Sequence, residues 1–281
     1  MSGRRYTVRS LGRELVMIVL AAAYGGPFYM LVVMSLQSKD DVQQTPFAPP
    51  IDDPQWDNYA TAWTTGGAAG GMGPAFVDTV IITLGSVLCL IVVSALTGYV
   101  LARRTSRLSN ALYLLFVLGV TIPSTLGLVP IYVVMRNLGL LGTYQGMILL
   151  NTAMLTPFAV FLYTGFIRAL PREFEEAAQM DGAGMFGTLV RVVLPLLRPI
   201  TATVAMLTGL IVWNEYFLAI VFLAGSEIAN LPLQLNAFVN DYYTDWNLVM
   251  AGAAICILPV LVVFLALQKQ FMKGFAGGLR G

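Results

Sequence analysis

Few side chains in this 281-residue sequence could carry out acid–base, nucleophilic or metal chemistry. Histidine is absent, which removes the usual proton carrier near neutral pH and the commonest metal ligand. Both cysteines, Cys89 and Cys256, lie inside apolar runs, where thiols behave as small hydrophobic side chains. We therefore predict no catalytic residue and no metal ligand, and we do not expect an enzyme.

One acidic residue differs from the others because it lies deep inside an apolar stretch. Glu215 follows Trp213 and Asn214, and a charge at membrane depth usually faces a cavity or a partner. A carboxylate, an amide and an aromatic face together suit the hydroxyls and rings of a sugar. The carboxylate could equally make a structural hydrogen bond between helices or to a companion chain, and both interpretations stay open.

The composition determines which elements must position these groups. The chain is 57% hydrophobic and 11% charged, with a mean hydropathy of +0.76, whereas soluble domains carry about 25% charged residues. This excludes a cytosolic enzyme, a nucleic-acid-binding protein and a disordered chain, and the net charge of +1 attracts no nucleic acid. The sequence predicts an all-α membrane protein solvated by lipid.

Six stretches are long and apolar enough for transmembrane helices, which need about 20 residues each. The first is longer than the apolar core of a signal peptide, so we expect it to be a retained anchor. The stretches cover residues 15–36, 76–101, 108–135, 145–167, 195–223 and 248–267. The resulting division is an N-terminal segment 1–14, a membrane domain 15–267 and a C-terminal tail 268–281, with outer loops at 37–75 and 224–247 and an inner loop at 168–194.

The basic residues give the orientation. With the N-terminus inside, 14 of the 16 lysines and arginines lie on inner segments, and only Lys39 and Arg136 lie outside. Inner loops of membrane proteins carry this excess of positive charge. The sequence therefore predicts that both termini are cytoplasmic.

The third stretch carries two prolines, Pro123 and Pro130. Each removes a backbone donor and kinks or breaks a helix. Two interpretations remain: a tilted, kinked helix, or a broken helix beside a pathway. The residues predicted for a translocation pathway are Pro123, Asn151, Trp213, Asn214 and Glu215.

The two outer loops differ in composition. Residues 37–73 are rich in proline and glycine, so we expect an extended, partly flexible segment. The second loop mixes polar groups with aromatic rings, which suits contact with a partner protein or a sugar, although interfacial aromatic belts have the same composition. The predicted contact residues are Asn240, Asp241, Tyr242, Tyr243, Asp245 and Trp246.

The inner loop contains a two-helix pattern. Residues 171–182 begin with a proline, continue with acids and good helix formers, and end at Gly182. A second short helical pattern covers residues 183–192. Two short helices meeting at a glycine would form a compact docking knob, and the alternative is an amphipathic loop with Arg172 and Arg191 on anionic headgroups.

The spacing within this loop is similar to a known signature. Glu176-Ala177-Ala178, then Gly182, Val192 and Leu194-Pro195 resemble the EAA signature of the permease subunits of ATP-binding-cassette (ABC) importers, with Val192 in place of Ile. Further resemblance, specifically to the second membrane subunit of maltose-type sugar importers, is carried by Asn58-Tyr59, Ile122-Pro123, Val129-Pro130, Trp213-Asn214-Glu215-Tyr216, Leu231-Pro232, Thr244-Asp245-Trp246 and residues 274–281. The glycine tract at 66–73 departs from that pattern.

The resemblance implies a multi-pass permease in the inner (plasma) membrane of a prokaryote, forming half of a carbohydrate pathway. It implies a second permease subunit, two ATPase subunits that bind ATP and Mg, and an extracytoplasmic solute-binding protein. It also implies that the inner loop sits in a cleft of the ATPase, with acids facing basic partners and small residues allowing close contact. These coupling residues are Glu173, Glu175, Glu176, Ala177, Ala178, Asp181 and Gly182.

Other transport functions remain as alternatives. The permease could carry a polyol or a glycerol phosphate, although few outer or intramembrane basic residues are available for an anion. The chain has no Gly-Lys-Ser/Thr sequence for a phosphate-binding loop, so energy must come from another polypeptide or from an ion gradient. A gradient-driven carrier usually keeps several intramembrane ionisable groups, whereas here Glu215 is the only deep one.

Overall fold

A computed structural model describes residues 8–66, 69–239 and 244–278, and all regular structure within these ranges is helical. A 3-10 turn covers Ser124–Gly127 and a π-helical turn covers Leu189–Val193. The α-helices are α1 (Val8–Ser35), α2 (Lys39–Gln44), α3 (Asp57–Thr64), α4 (Met72–Arg103), α5 (Arg107–Thr121), α6 (Leu128–Asn137), α7 (Tyr144–Ala169), α8 (Glu173–Met180), α9 (Met185–Thr188), α10 (Leu194–Leu196), α11 (Arg198–Trp213), α12 (Phe217–Phe222), α13 (Leu231–Asn236) and α14 (Trp246–Gly278).

Four helices in the described ranges are long and apolar enough to cross a bilayer. They are Gly12–Ser35, Met72–Arg103, Tyr144–Ala169 and Trp246–Ala266, and they match the first, second, fourth and sixth predicted stretches. A fifth span results if the bent pair Phe186–Leu196 and Arg198–Trp213, which meet at 69°, is taken as one. The all-α membrane class is confirmed for these residues.

The other two predicted stretches are interrupted. In the third, α5 ends at Thr121, and Ile122 is extended (φ −80°, ψ 123°) because the following Pro123 disfavours the helical conformation. The third stretch is therefore a broken helix and not a continuous, kinked one. The fifth stretch was predicted to be continuous over 195–223, which is wrong: α11 ends at Trp213 and α12 begins at Phe217.

The chain forms two compact units. The first comprises the described residues of Met1–Gly73 and Gln234–Pro259. Asn58 Nδ2 donates to the carbonyl oxygens of Ser35 and Gln37, both at 2.9 Å, and Asn247 Nδ2 donates to Asn58 Oδ1 at 2.9 Å. The buried Gln37 side chain also donates to the carbonyls of Thr45 and Ala48.

These bonds correct the prediction of an extended first outer loop. The loop folds into α2 and α3, because the amide side chains of Gln37 and Asn58 tie its backbone to the end of α1. Its glycines have local roles: Gly71 adopts φ +118°, and a Cβ there would lie 2.5 Å from the Trp63 carbonyl oxygen. Only glycine fits at that position.

The second unit comprises the described residues of Pro74–Leu233 and Val260–Gly281. One core cluster joins α4 and α7 to the segment before α11, and its fully buried members include Tyr163, Ile167 and Leu197. Near the start of α4, the buried Asp78 carboxylate accepts hydrogen bonds from Tyr144 Oη at 2.6 Å and from the Ala229 amide at 3.1 Å. Because it is satisfied within the unit, Asp78 is structural.

Candidate functional site

The segment between α7 and α11 contains the predicted two-helix pattern. Helix α8 ends at Met180, and Gly182, two residues later, has φ +84°. The Gly182 amide donates to the Gln179 carbonyl at 3.0 Å and the Ala183 amide donates to the Ala178 carbonyl at 2.9 Å. These two bonds form a Schellman motif, which satisfies the last carbonyls of a helix and requires a left-handed residue. The glycine thus fixes the angle at which the chain leaves α8.

Glu175 connects α8 to the end of α4. Its side chain is buried (8% exposed), and its Oε1 lies 2.6 Å from Arg103 Nη2 and 2.7 Å from Arg103 Nε. Tyr99 Oη donates to Glu175 Oε2 at 3.0 Å, and Arg103 Nη2 also donates to the Leu170 carbonyl at 3.3 Å. One cluster therefore joins the ends of α4 and α7 to α8. The carboxylate faces its own chain, and not the partner that the resemblance implied.

The second half of the segment is anchored in the core. Leu189, Val193 and Leu197 are buried against α4 and α7. A π-helical turn over Leu189–Val193 leads into Leu194-Pro195, where proline cannot continue the regular hydrogen-bond ladder. Val192, at the signature's Ile position, is half-buried. The segment is thus held at both ends by the spans.

The outer surface of this segment is apolar and acidic. On α8 and α9 the exposed large apolar side chains include Phe174, Met180 at 88% and Phe186 at 76%. The predicted coupling acids Glu173, Glu176 and Asp181 are also exposed, as is Ala177, while Ala178 is half-buried. Exposed apolar groups beside charges mark interaction surfaces. The apolar members were not among the predicted coupling residues, because in the sequence alone they do not differ from core residues.

A cavity of about 350 Å³ lies within the second unit, beside the break between α11 and α12. It joins two predicted pathway residues, Asn151 of α7 and Glu215 of the break. Its other lining residues are Leu128, Met154, Leu155, Ile211, Phe217 and Leu218. The cavity is therefore mostly apolar, with one amide and one carboxylate.

Glu215 also has a structural role at this break. Its Oε1 accepts a hydrogen bond of 2.7 Å from the Leu218 amide in the first turn of α12. A carboxylate at a helix N-terminus satisfies a free amide and interacts favourably with the helix dipole. Asn230 Nδ2 donates to the Glu215 carbonyl, which ties the break to the following loop. The half-buried carboxylate is thus a helix cap that borders a cavity.

Other predicted pathway residues lie elsewhere in the described ranges. Trp213 packs edge-on against Phe76, with ring centroids 5.9 Å apart. The exposed Asn214 donates to the Leu210 carbonyl at 2.8 Å, and Pro123 is exposed at the end of α5. These three are not among the residues that line the cavity.

The predicted contact residues of the second outer loop are only partly described. Asp245 pairs with Lys39, with 2.6 Å between its Oδ1 and Nζ, and Trp246 is exposed at the start of α14. Asn240, Asp241, Tyr242 and Tyr243 lie outside the described residues.

Comparison with known proteins gives consistent matches. Residues 91–276 match the family described as binding-protein-dependent transport system inner membrane component. The melibiose/raffinose/stachyose import permease protein MelC of Bacillus subtilis (strain 168) is 37% identical over 94% of each chain. The probable starch degradation products transport system permease protein AmyC of Thermoanaerobacterium thermosulfurigenes is 30% identical, over 98% of this chain and 96% of that one.

A solved structure has the same fold. It is a chain of a bacterial ABC transporter involved in the import of the acidic polysaccharide alginate. The TM-score is 0.78 at 24% identity, and the match covers 95% of this chain and 99% of that one. The helical arrangement described above is thus found in a known importer.

Proposed function

Because the chain belongs to the family of inner membrane components of binding-protein-dependent transport systems, we propose that it is one of two permease subunits of an ATP-driven carbohydrate importer. Relatives described as permeases for melibiose, raffinose and stachyose, and for starch degradation products, support a sugar or oligosaccharide substrate. Two ATPase subunits would bind ATP and Mg, and an extracytoplasmic binding protein would deliver the sugar.

The observation that carries this proposal is the exposed surface of α8 and α9. We define the coupling surface as Glu173, Phe174, Glu176, Met180, Asp181 and Phe186. Exposed aromatic and methionine side chains suit insertion into a partner's cleft, and the carboxylates suit basic groups around its rim. This combination supports docking of an ATPase subunit.

Movement of a docked partner would be transmitted to the membrane helices, because the segment between α7 and α11 is attached rigidly to them. The Arg103–Glu175 pair connects α8 to α4, and the buried Leu189, Val193 and Leu197 connect the following turns to the core. Displacing the coupling surface would therefore displace α4, α7 and α11. ATP-driven closure of the ATPase subunits would open the pathway outward, and hydrolysis would reset it.

The proposed topology has six spans, with both termini and the coupling surface in the cytoplasm. The broken third and fifth stretches would each complete a span. The charge distribution supports this orientation, since 14 of 16 basic residues would lie inside. Asp245 and Trp246 would then lie on the outer side, where the solute-binding protein docks.

The cavity with Asn151 and Glu215 would form part of the translocation pathway. Non-helical backbone at membrane depth is tolerated where it lines such a cavity. The amide and the carboxylate suit sugar hydroxyls, whereas the cap formed by Glu215 accounts for its charge without ion coupling.

Co-purification in mild detergent tests the proposal. The tagged chain should bring down a homologous permease and an ATPase, and the ATPase should be stimulated by a carbohydrate-loaded binding protein. Isolation of the chain alone, or an assembly whose ATPase ignores every tested sugar but responds to an amino acid, would contradict it. Single cysteines at Gly184 and Glu227 should be labelled from the inside and the outside, respectively.

A further inference from the structure

A second cavity, of about 330 Å³, lies in the second unit where α4 ends, α5 begins and α7 ends. We call it the arginine cavity. Half of its lining residues are arginines, and none is acidic. It is lined by Ala102, Arg103, Arg104, Thr105, Asn110, Arg168, Leu170 and Arg172.

Three of the four arginines keep an uncompensated charge. Arg103 is neutralised by Glu175 at 2.6 Å. The guanidinium of Arg168 lies over the Tyr113 ring, 4.4 Å from its centroid, which positions the group without cancelling its charge. Arg104 and Arg172 are exposed, and the ion pairs found in the described ranges involve neither. The charge of the lining therefore favours an anion.

The chemistry of the lining favours a phosphate. Planar guanidinium groups donate two parallel hydrogen bonds to phosphate oxygens. The first turn of the 15-residue helix α5, which contributes Asn110, adds the partial positive charge of a helix N-terminus.

An exposed apolar stripe distinguishes a lipid phosphate from a free one. Leu114 and Leu118 follow the cavity-lining Asn110 at four-residue steps on the same face of α5, and they are 59% and 58% exposed. A phosphate bound among the arginines would have its acyl chains directed along this stripe. Basic pockets between transmembrane helices bind lipid headgroups in this way.

We propose that the arginine cavity binds the phosphate of an anionic phospholipid whose acyl chains lie along α5. The site depends on the chain's location in a membrane, but not on the transported substrate or on the orientation of the termini. Arg172 and Arg191 were both considered for contact with headgroups. The proposal assigns this role to Arg172 only, because Arg172 lines the cavity and Arg191 does not.

Lipid retention by the assembled, purified transporter tests the proposal. Native mass spectrometry would count phosphatidylglycerol bound after extraction from membranes, in wild type, Arg104→Gln and the triple variant Arg104→Gln/Arg168→Gln/Arg172→Gln. Arg191→Gln is the matched control, since it removes an equal charge from an exposed site outside the cavity. The transporter with its bound phosphatidylglycerol would also be placed in phosphatidylcholine nanodiscs, with and without excess inorganic phosphate. This comparison shows whether free phosphate displaces the lipid.

We expect wild type and Arg191→Gln to retain phosphatidylglycerol, Arg104→Gln to bind it about fivefold more weakly, and the triple variant roughly a hundredfold more weakly. Inorganic phosphate should not displace the lipid. Equal retention by Arg104→Gln and Arg191→Gln would overturn the proposal. It would also be overturned if inorganic phosphate displaced the lipid, or if the triple variant lost the ATPase subunit together with the lipid, which would indicate a protein interface.

Discussion

Two neighbouring glutamates on α8 have opposite environments. Glu176 is exposed on the coupling surface, whereas Glu175 is buried against Arg103 and Tyr99. An exposed acid is available to a partner, and a buried one fixes the helix that presents it. Substitution of Glu176 should therefore impair transport, whereas substitution of Glu175 should lower stability.

Reversing the charge of Glu176 should uncouple transport. In the assembled transporter, Glu176→Lys would place a cation against the basic rim proposed for the ATPase, and like-charge contacts at an interface cost several kcal/mol. We expect sugar uptake to fall by at least about tenfold. Glu227→Lys makes the same change at an exposed acid outside the coupling surface, and it should transport normally. Comparable uptake by both variants would refute the docking role.

Removing one member of the Arg103–Glu175 pair should destabilise the transporter. Glu175→Leu leaves the Arg103 charge largely buried without its partner, which typically costs about 3–5 kcal/mol. The double variant Arg103→Met/Glu175→Leu removes both charges and should recover most of that loss. Thermal unfolding of the purified complex measures both. If the double variant is no more stable than Glu175→Leu, the pair is not coupled.

The sequence could predict the position of the two-helix segment between α7 and α11. It could not predict which of its acidic side chains point inward and which point to solvent. The signature spacing is local, from Glu176 to Pro195, and is visible in one stretch. The partner of Glu175 lies 72 residues earlier in the chain. No local pattern contains that pairing, so the burial of Glu175 could not be anticipated.

At the scale of elements, two interruptions of the spans and one tight turn determine the candidate sites. Pro123 ends α5, Glu215 caps α12 after a break, and Gly182 closes α8. The first break carries a proline, so the sequence could indicate it. The second carries none, and it is stabilised by the Glu215 carboxylate, which accepts from the Leu218 amide of α12; hydropathy alone cannot predict that bond.

Replacing Gly182 with alanine should weaken coupling. An alanine in the left-handed conformation costs about 1–2 kcal/mol and would loosen the Schellman turn. We expect weaker stimulation of the ATPase by loaded binding protein, together with faster hydrogen exchange of the Ala183 amide. Gly184→Ala is the control, because a Cβ there meets open space and its φ is not positive. The same defect in both variants would argue against a role for the turn.

The role of Glu215 can be separated from ion coupling by two substitutions. Gln keeps an acceptor for the Leu218 amide, so Glu215→Gln should retain uptake. Glu215→Ala removes the cap, worth about 1 kcal/mol, and should lower both stability and uptake. ATP-dependent uptake into proteoliposomes and thermal unfolding report the two effects. Loss of uptake in Glu215→Gln with unchanged stability would instead assign the charge itself to transport.

At the scale of the whole molecule, we propose that the chain forms a wall of the pathway that a partner ATPase moves. The sequence of the chain has no phosphate-binding loop, and its exposed coupling surface is joined to three long helices through α8 and the buried turns. Composition predicted the all-α membrane class, which is confirmed, whereas the orientation drawn from the charge distribution stays a prediction. The division into two units could not be predicted, because it depends on bonds such as Asn58 to Asn247 that connect distant residues.

The most direct test is uptake of labelled oligosaccharide by proteoliposomes that contain ATP. We predict accumulation when the chain is reconstituted with its companion permease, its ATPase and a loaded binding protein. We predict none when the ATPase is omitted or replaced by a variant unable to hydrolyse ATP. Accumulation by the chain alone, driven by an imposed proton or sodium gradient without ATP, would contradict the account.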